Sequence, residues 1–542
     1  MEMREQTAVE RLGGVNHPRG ALPLLVRATS HVIVWTSVLA PMWAVLSKGW
    51  IPMGDDAAIA IRSFQTISFH PPLVGLTTTA GILQGHYLND PGPLLFWLLA
   101  IPVHIDPNHG ALWAAAILAG AALSLSVEAV WSTKLWPGCA VVAFAAADLM
   151  WLTPEVFERI TWNAYFPIPF FIATVVLAWT VSMGLFGWWP ALVFVASVAA
   201  QCHLIFVIPA ILLSLVAPGI GLAVAGKPKR FRWLIGGLAV ALACWIAPLT
   251  QNFAANGNLT ALIHGNSGLA TEGLGVGLRA LARAASPLPI WLTHEPSLVI
   301  DRAAFPSYSS PAAGGIVLCI LAAIAIWAWR SDRRELAALS SIALACSIGL
   351  VADFSMFPKQ NALAILDYLI ISCWVVGILI WTVVVWAVAS LASRLLHRRT
   401  RHELILGVLA GTLLITVIGV LGLTAFQPAD STVGWNQSDV KIVDHVVKAV
   451  ERYPRNNVVM VSVNRYPSED FFAGGLAGLW VEGIAWQLEA DGWRPRLRGF
   501  GALYTGLGVS RGTHVTNIVV NVHGTDVVSV NATGCIEAIR PC

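Results

Sequence analysis

Two adjacent carboxylates, Asp55 and Asp56, follow Gly54 soon after the first long apolar run of the chain. A carboxylate beside a reacting hydroxyl can remove its proton as a general base. Adjacent carboxylates raise one another's proton affinity and can share a divalent cation such as Mg, Mn or Ca. A simpler role is open too: Asp55 can cap a helix that begins near Ala57, with the helix dipole favouring both charges. Arg62 follows Asp55 by seven positions, on the same face if this segment is helical. His86, Asn89 and Asp90 share the loop, and His86 and Asp90 are candidate metal or substrate ligands beside the pair; a structural histidine is the plainer reading of His86. Glu155 and Arg159 have the spacing of a helical ion pair just before Trp162-Asn163. Gln201 and His203 bracket Cys202 between two apolar runs, and Gln251 ends another. Such polar groups line sites or bond helix to helix. Arg302, with His294, stands in a second long loop, and Lys359 stands alone between two apolar runs. Snorkelling toward headgroups accounts for Arg62 and Lys359 as well.

The elements that must hold these residues are membrane helices. The chain has 542 residues, 56% hydrophobic and 12% charged, and a mean hydropathy of +0.70. Soluble domains carry about 25% charged residues. The net charge of +3 is small and dispersed, which argues against a nucleic-acid partner. The bilayer needs about 20 apolar residues per span. About eleven candidates fit, near 29–48, 110–132, 136–153, 166–184, 187–201, 203–225, 233–250, 312–329, 336–354, 363–390 and 404–425. The 187–225 stretch reads as one long helix or two short ones. Residues 91–100 are apolar but short, which predicts a re-entrant or interfacial helix, and the alternation at 275–285 predicts a helix lying flat on the surface. The basic clusters (the N-terminal arginines, Lys227 to Arg232, Arg330 to Arg334, Arg394 to Arg401) all fall on one side with this count. By the positive-inside rule that side is cytoplasmic. The N-terminus is then cytoplasmic, and loops 49–109 and 251–311 and the C-terminal tail are external, in a multi-pass protein of the plasma (inner) membrane. Residues 1–426 read as the membrane domain. Residues 427–542 read as a small α/β domain, with helices near 438–452 and 474–490 and strands near 457–463, 494–499 and 515–522. Trp480, Trp486, Trp493 and Tyr504 there can pack a core or stack on sugar rings. Six cysteines lie in apolar runs as small hydrophobes; Cys535 and Cys542 can pair if the tail is external.

The order of motifs resembles the membrane glycosyltransferases of the GT-C fold, the superfamily of protein O-mannosyltransferases, lipid A aminoarabinose transferases and mycobacterial arabinosyl- and mannosyltransferases, with an actinobacterial flavour. The residues that carry the resemblance are the Asp55-Asp56 pair after the first helix and the Pro-rich aromatic run His86-Tyr87-Leu88-Asn89-Asp90-Pro91-Gly92-Pro93-Leu94-Leu95-Phe96-Trp97. Trp162-Asn163, Gln201-Cys202-His203, Pro248-Leu249-Thr250-Gln251 and Gly257-Asn258-Leu259 follow. The match covers roughly residues 30–260 and is weaker beyond. It implies a polyprenyl-phosphate sugar as donor and a glycan, lipid or protein of the cell envelope as acceptor, met on the external face. It also implies that Asp55, or Asp56 close behind it, is the base. Arg62, Lys359 and Arg302 are then candidates for the departing phosphate. His86, Asn89, Asp90, Glu155, Trp162, Asn163, Gln201, His203 and Gln251 are candidates for substrate contact.

Two other classes compete. A transporter or flippase of a lipid-linked sugar would place ionisable groups at mid-membrane, often in two related halves; here polar residues gather at helix ends and no repeat is visible. A non-catalytic scaffold would not need so long a first loop or the acidic pair.

Overall fold

The structure is a computed structural model. It describes residues 21–78, 88–153, 155–225, 231–254, 257–264, 270–287, 291, 309–359, 371–395, 437–450, 458–465, 471–497, 505, 507, 514–523 and 526–537. The chain is a polytopic helical membrane protein. Among the described residues, seven helices are long and apolar enough to cross a bilayer, by length and composition. In chain order the helices of this part are α1 (Ala21–Ser47), α2 (Gly54–Gln65), α3 (Leu94–Ile105), α4 (Gly110–Ser132), α5 (Pro137–Leu152), α6 (Glu155–Glu158), α7 (Pro167–Ser182) and α8 (Trp189–Cys202). Next come α9 (Val207–Ala225), α10 (Arg232–Ala254), α11 (Asn258–His264), α12 (Leu274–Ala284), α13 (Pro311–Arg330), α14 (Arg334–Ser355) and α15 (Ile371–Leu395). The candidate span 404–425 lies outside the described residues.

A backbone in lipid must satisfy its own polar groups, so each apolar run closes into a helix. Proline in the first turn, where no N–H is needed, opens α5, α7, α8 and α13. The 187–225 stretch is two helices: α8 stops at Cys202, His203 adopts an extended backbone, and the chain resumes through a short 3-10 turn.

One expectation fails. Helix α12 does not lie flat on the surface. It is wedged among α13, α14 and α15, with Gly277, Ala280, Leu281, Ala282, Arg283 and Ala284 buried. Small residues let backbones touch there. A Cβ on Gly277 would fall 2.3 Å from Val351 O, one on Gly314 2.1 Å from Leu278 O, and one on Gly377 2.6 Å from Ala284 O. The alternating apolar and basic pattern gave the helix, but glycines on two neighbouring helices gave it a slot.

The loops segregate to two ends. At one end Trp188 Nε1 donates to Ser132 Oγ (3.0 Å), Arg334 Nη1 to Val224 O (3.1 Å) and Arg333 Nη2 to Ser390 O (3.1 Å). At the other, loop 270–273 pairs with 355–359: Glu272 N donates to Phe357 O at 2.8 Å, and Lys359 N to Ala270 O at 2.9 Å.

The C-terminal segment holds α16 (Gln437–Val450), β1 (Val458–Arg465), α17 (Phe471–Ala490), β2 (Arg494–Arg496), β3 (His514–His523) and β4 (Asp526–Glu537). The sheet order is β2-β1-β3-β4. Strand β1 runs parallel to β2 and β3, and β4 returns antiparallel to β3. The Val-rich run of β1 suits a central parallel strand covered on both faces, and Val459, Met460 and Val461 are buried. Trp480, Trp486 and Trp493 are also buried. Tyr504 and Cys542 lie outside the described residues.

Candidate functional site

Helix α2 begins at Gly54, behind an extended Met53 that makes no side-chain cap bond. Asp55 and Asp56 therefore occupy its first turn rather than its cap, where the dipole still favours their charge. The two diverge in environment. Asp55 is half-buried, and Asp56 is completely buried. Asp56 Oδ1 accepts from Thr161 Oγ1 at 2.5 Å, and Oδ2 has no hydrogen-bond partner. Burial pushes Asp56 up to about 6, against the opposing pull of Arg159 and the Thr161 hydroxyl; the Asp55 charge adds to the rise. The Arg159 guanidinium lies over the Trp162 ring, 4.6 Å from the centroid. Glu155 opens α6, and its side chain lies outside the described residues.

Residues 161–163 tie two buried acids together. Thr161 holds Asp56, and Asn163 Nδ2 donates to Asp90 Oδ2 at 2.9 Å. The Leu204 amide also donates to Asp90, whose Oδ1 is left without a partner. Burial nonetheless raises Asp90 well above the usual carboxylate range. The neighbouring backbone is clamped. Asn89 N donates to Asn258 Oδ1 (3.0 Å), Asn258 Nδ2 returns to Asn89 O (3.1 Å), and Thr77 Oγ1 donates to Asn89 Oδ1 (3.0 Å). Gln251 Oε1 accepts from Asn258 N at 3.0 Å. Gln201 Nε2 donates to Cys244 O at 2.7 Å, and a Cβ on Gly92 would fall 2.0 Å from Gln201 Oε1. His203 Nδ1 accepts from Ile205 N at 3.3 Å and so caps the 3-10 turn.

The structure thus brings Asn89, Asp90, Asn163, Gln201, His203 and Gln251 around one segment, 88–92, and Asp55, Asp56 and Trp162 around the start of α2. Arg62 points elsewhere on α2. Its Nη1 donates to Gln65 Oε1 at 3.3 Å, its guanidinium lies 5.9 Å from the Phe96 centroid, and burial lowers it to about 10, still a cation at neutral pH. Lys359 is exposed beside the Thr271–Pro358 bridge. His86 and Arg302 lie outside the described residues. Among the described residues no group of three or more His, Cys, Asp or Glu could hold a metal ion.

Two participants had no sequence signal pointing to them. Thr161 is one threonine in an unremarkable run. Glu482, on α17, is buried, and its carboxyl is raised to about 7 by burial, with the Asp55 charge adding to the rise. A spacing of more than 400 residues hides that meeting.

Chemically, the arrangement offers a reachable carboxylate (Asp55), a buried one raised to about 6 (Asp56), and a cation held over an aromatic ring (Arg159). No known protein family matches the chain, and no characterised protein is significantly similar to it.

Proposed function

We propose that the protein is a membrane glycosyltransferase that moves a sugar from a polyprenyl-phosphate carrier to a hydroxyl of a cell-envelope glycan, lipid or protein. The observation that carries the reading is the acidic pair in the first turn of α2 with Arg159 held beside it on Trp162. An acyclic list of such residues would mean little; here one carboxylate is reachable and the other is buried and orientated by Thr161. Asp55 is the general base. Asp56 supplies a fixed negative field behind it, and Arg159, whose charge acts on Asp56, is the cation for the departing phosphate. The acceptor hydroxyl attacks the anomeric carbon, its proton passes to Asp55, and the bond from that carbon to the phosphate oxygen breaks with the electron pair leaving on the lipid phosphate.

The end of the bundle that carries the 88–92 segment is taken as external, since Arg333 and Arg334 gather at the other end. The N-terminus is then cytoplasmic in the plasma membrane. The GT-C resemblance is part of the same reading.

The test is transfer by purified protein in lipid, from a panel of radiolabelled polyprenyl-phosphate sugars to a crude envelope acceptor. Wild type should transfer. D55N should lose about 10²–10⁴-fold, the usual range for a lost general base, while remaining folded. Unchanged turnover in both D55N and D56N would remove the catalytic assignment and bring the flippase reading forward.

A further inference from the structure

Helix α17 is docked on the helix that carries the acidic pair. A Cβ built on Gly483 would stand 3.1 Å from Met53 Cγ, 3.4 Å from Pro52 O and 3.6 Å from Met53 Cα. So α17 passes against the two residues that lead into the Gly54-Asp55-Asp56 turn. One turn on, Trp486 is fully buried, and its Nε1 donates to Pro107 O at 3.2 Å. Its ring meets Phe64 edge-on at 5.9 Å, and Phe64 stacks on His104 at 4.2 Å. Gln65 Nε2 donates to Thr505 O at 3.1 Å. Both ends of α2 are therefore held by the C-terminal segment. Glu482 precedes the contact glycine, is only 8% exposed, and lies within electrostatic reach of Asp55. Burying a carboxyl is costly, and an apolar side chain would pack such a seat more cheaply.

We propose that Glu482, beside Asp55 where α17 seats on α2, is a substrate-positioning residue of the transfer that orients the acceptor hydroxyl for Asp55. The proposal rests on the transferase reading. A hydroxyl nucleophile needs one group to take its proton and another to fix its line of approach. The C-terminal segment is then a fixed wall of the site and not a detached binding module.

The experiment has two arms on the full-length protein in lipid. In the first, E482L and E482Q are compared with wild type. Leucine keeps the volume and removes the polar group, so a merely structural role predicts equal or higher Tm and unchanged kinetics. The proposal predicts that E482L folds, raises the acceptor KM about tenfold or more, and leaves the donor KM unchanged, because misplacement of one reactant costs up to about 10²-fold. E482Q, which keeps hydrogen-bonding shape, should recover most of the loss. An unchanged acceptor KM in E482L, or equal rises for donor and acceptor, overturns it. In the second arm, M53C with G483C is oxidised in native membranes. The cross-link should form readily, and the locked protein should stay active. Failure to cross-link, or activity that returns only on reduction, overturns the fixed wall. Absence of transfer by wild type, with the cross-link formed, sinks the transferase reading and Glu482's part in it, but leaves the seat of α17 standing.

Discussion

Replacing Thr161 with valine keeps the shape of the side chain and removes the one hydroxyl that holds Asp56. Both residues are fully buried, and Asp56 Oδ2 already has no partner, so no second side-chain hydrogen bond remains for the carboxylate. Asp56 stands at about 6 with Thr161 present, faced also by the Arg159 and Asp55 charges. A hydrogen bond to a charged group is worth about 1.5–3 kcal/mol, and one pH unit is about 1.4 kcal/mol. If transfer needs Asp56 ionised, the acid limb of its pH profile should move up by about one to two pH units, from near 6 toward about 7–8. Stability gives a second readout. Folded Asp56 binds its proton more tightly than the unfolded side chain, so its contribution is full below about pH 4 and is lost as pH rises through about 6. Valine removes a bond to the charged form, so its damage should be larger at pH 8 than at pH 5. The assays are initial transfer rate from pH 5 to 9 and thermal unfolding in detergent at pH 5 and 8, with T161S as the variant that restores the hydroxyl. An acid limb common to wild type and T161V, or equal destabilisation at both pH values, would refute the claim that Thr161 tunes Asp56.

Asn163→Ala removes the side-chain donor to the buried Asp90 Oδ2 and should cost about 1–3 kcal/mol, read as a lower Tm. Gly314→Ala drives a methyl group into Leu278 O, whereas the space beside Gly315 is open. G314A should therefore lower Tm by the equivalent of about 1–3 kcal/mol, and G315A should leave it near wild type; equal behaviour would remove the slot as the reason α12 is held. Gly92→Ala would bring a methyl group onto the fully buried Gln201 side chain, 2.0 Å from Oε1 and 2.4 Å from Cδ, so its cost should be of the same order as that of G314A in the same assay.

The periodicity and length of the apolar runs made the membrane helices legible, because a spanning backbone has few other ways to satisfy its polar groups. The acidic pair was legible as a chemical oddity, two charges beside an apolar run. Its surroundings were not. Local pattern offered Asp55 as a cap, but the cap position falls two residues earlier, at Met53, and the helix starts at Gly54. Arg159 had the spacing to pair with Glu155, and nothing in that spacing pointed to the Trp162 ring three residues on, over which its guanidinium lies. For α12, amphipathic alternation specifies a helix with two unlike faces, yet whether the apolar face meets lipid or protein depends on glycines at 314 and 377, far along the chain.

Sequence alone determined the class of protein, since that follows from how many apolar residues run together. Which of two neighbouring aspartates is buried, and which distant groups face them, was decided only by tertiary structure. Thr161 and Glu482 reach the start of α2 from positions whose separation leaves no local signature. Proton affinity depends on burial and on charges within a few ångströms, and neither is a property of a residue in its own sequence neighbourhood.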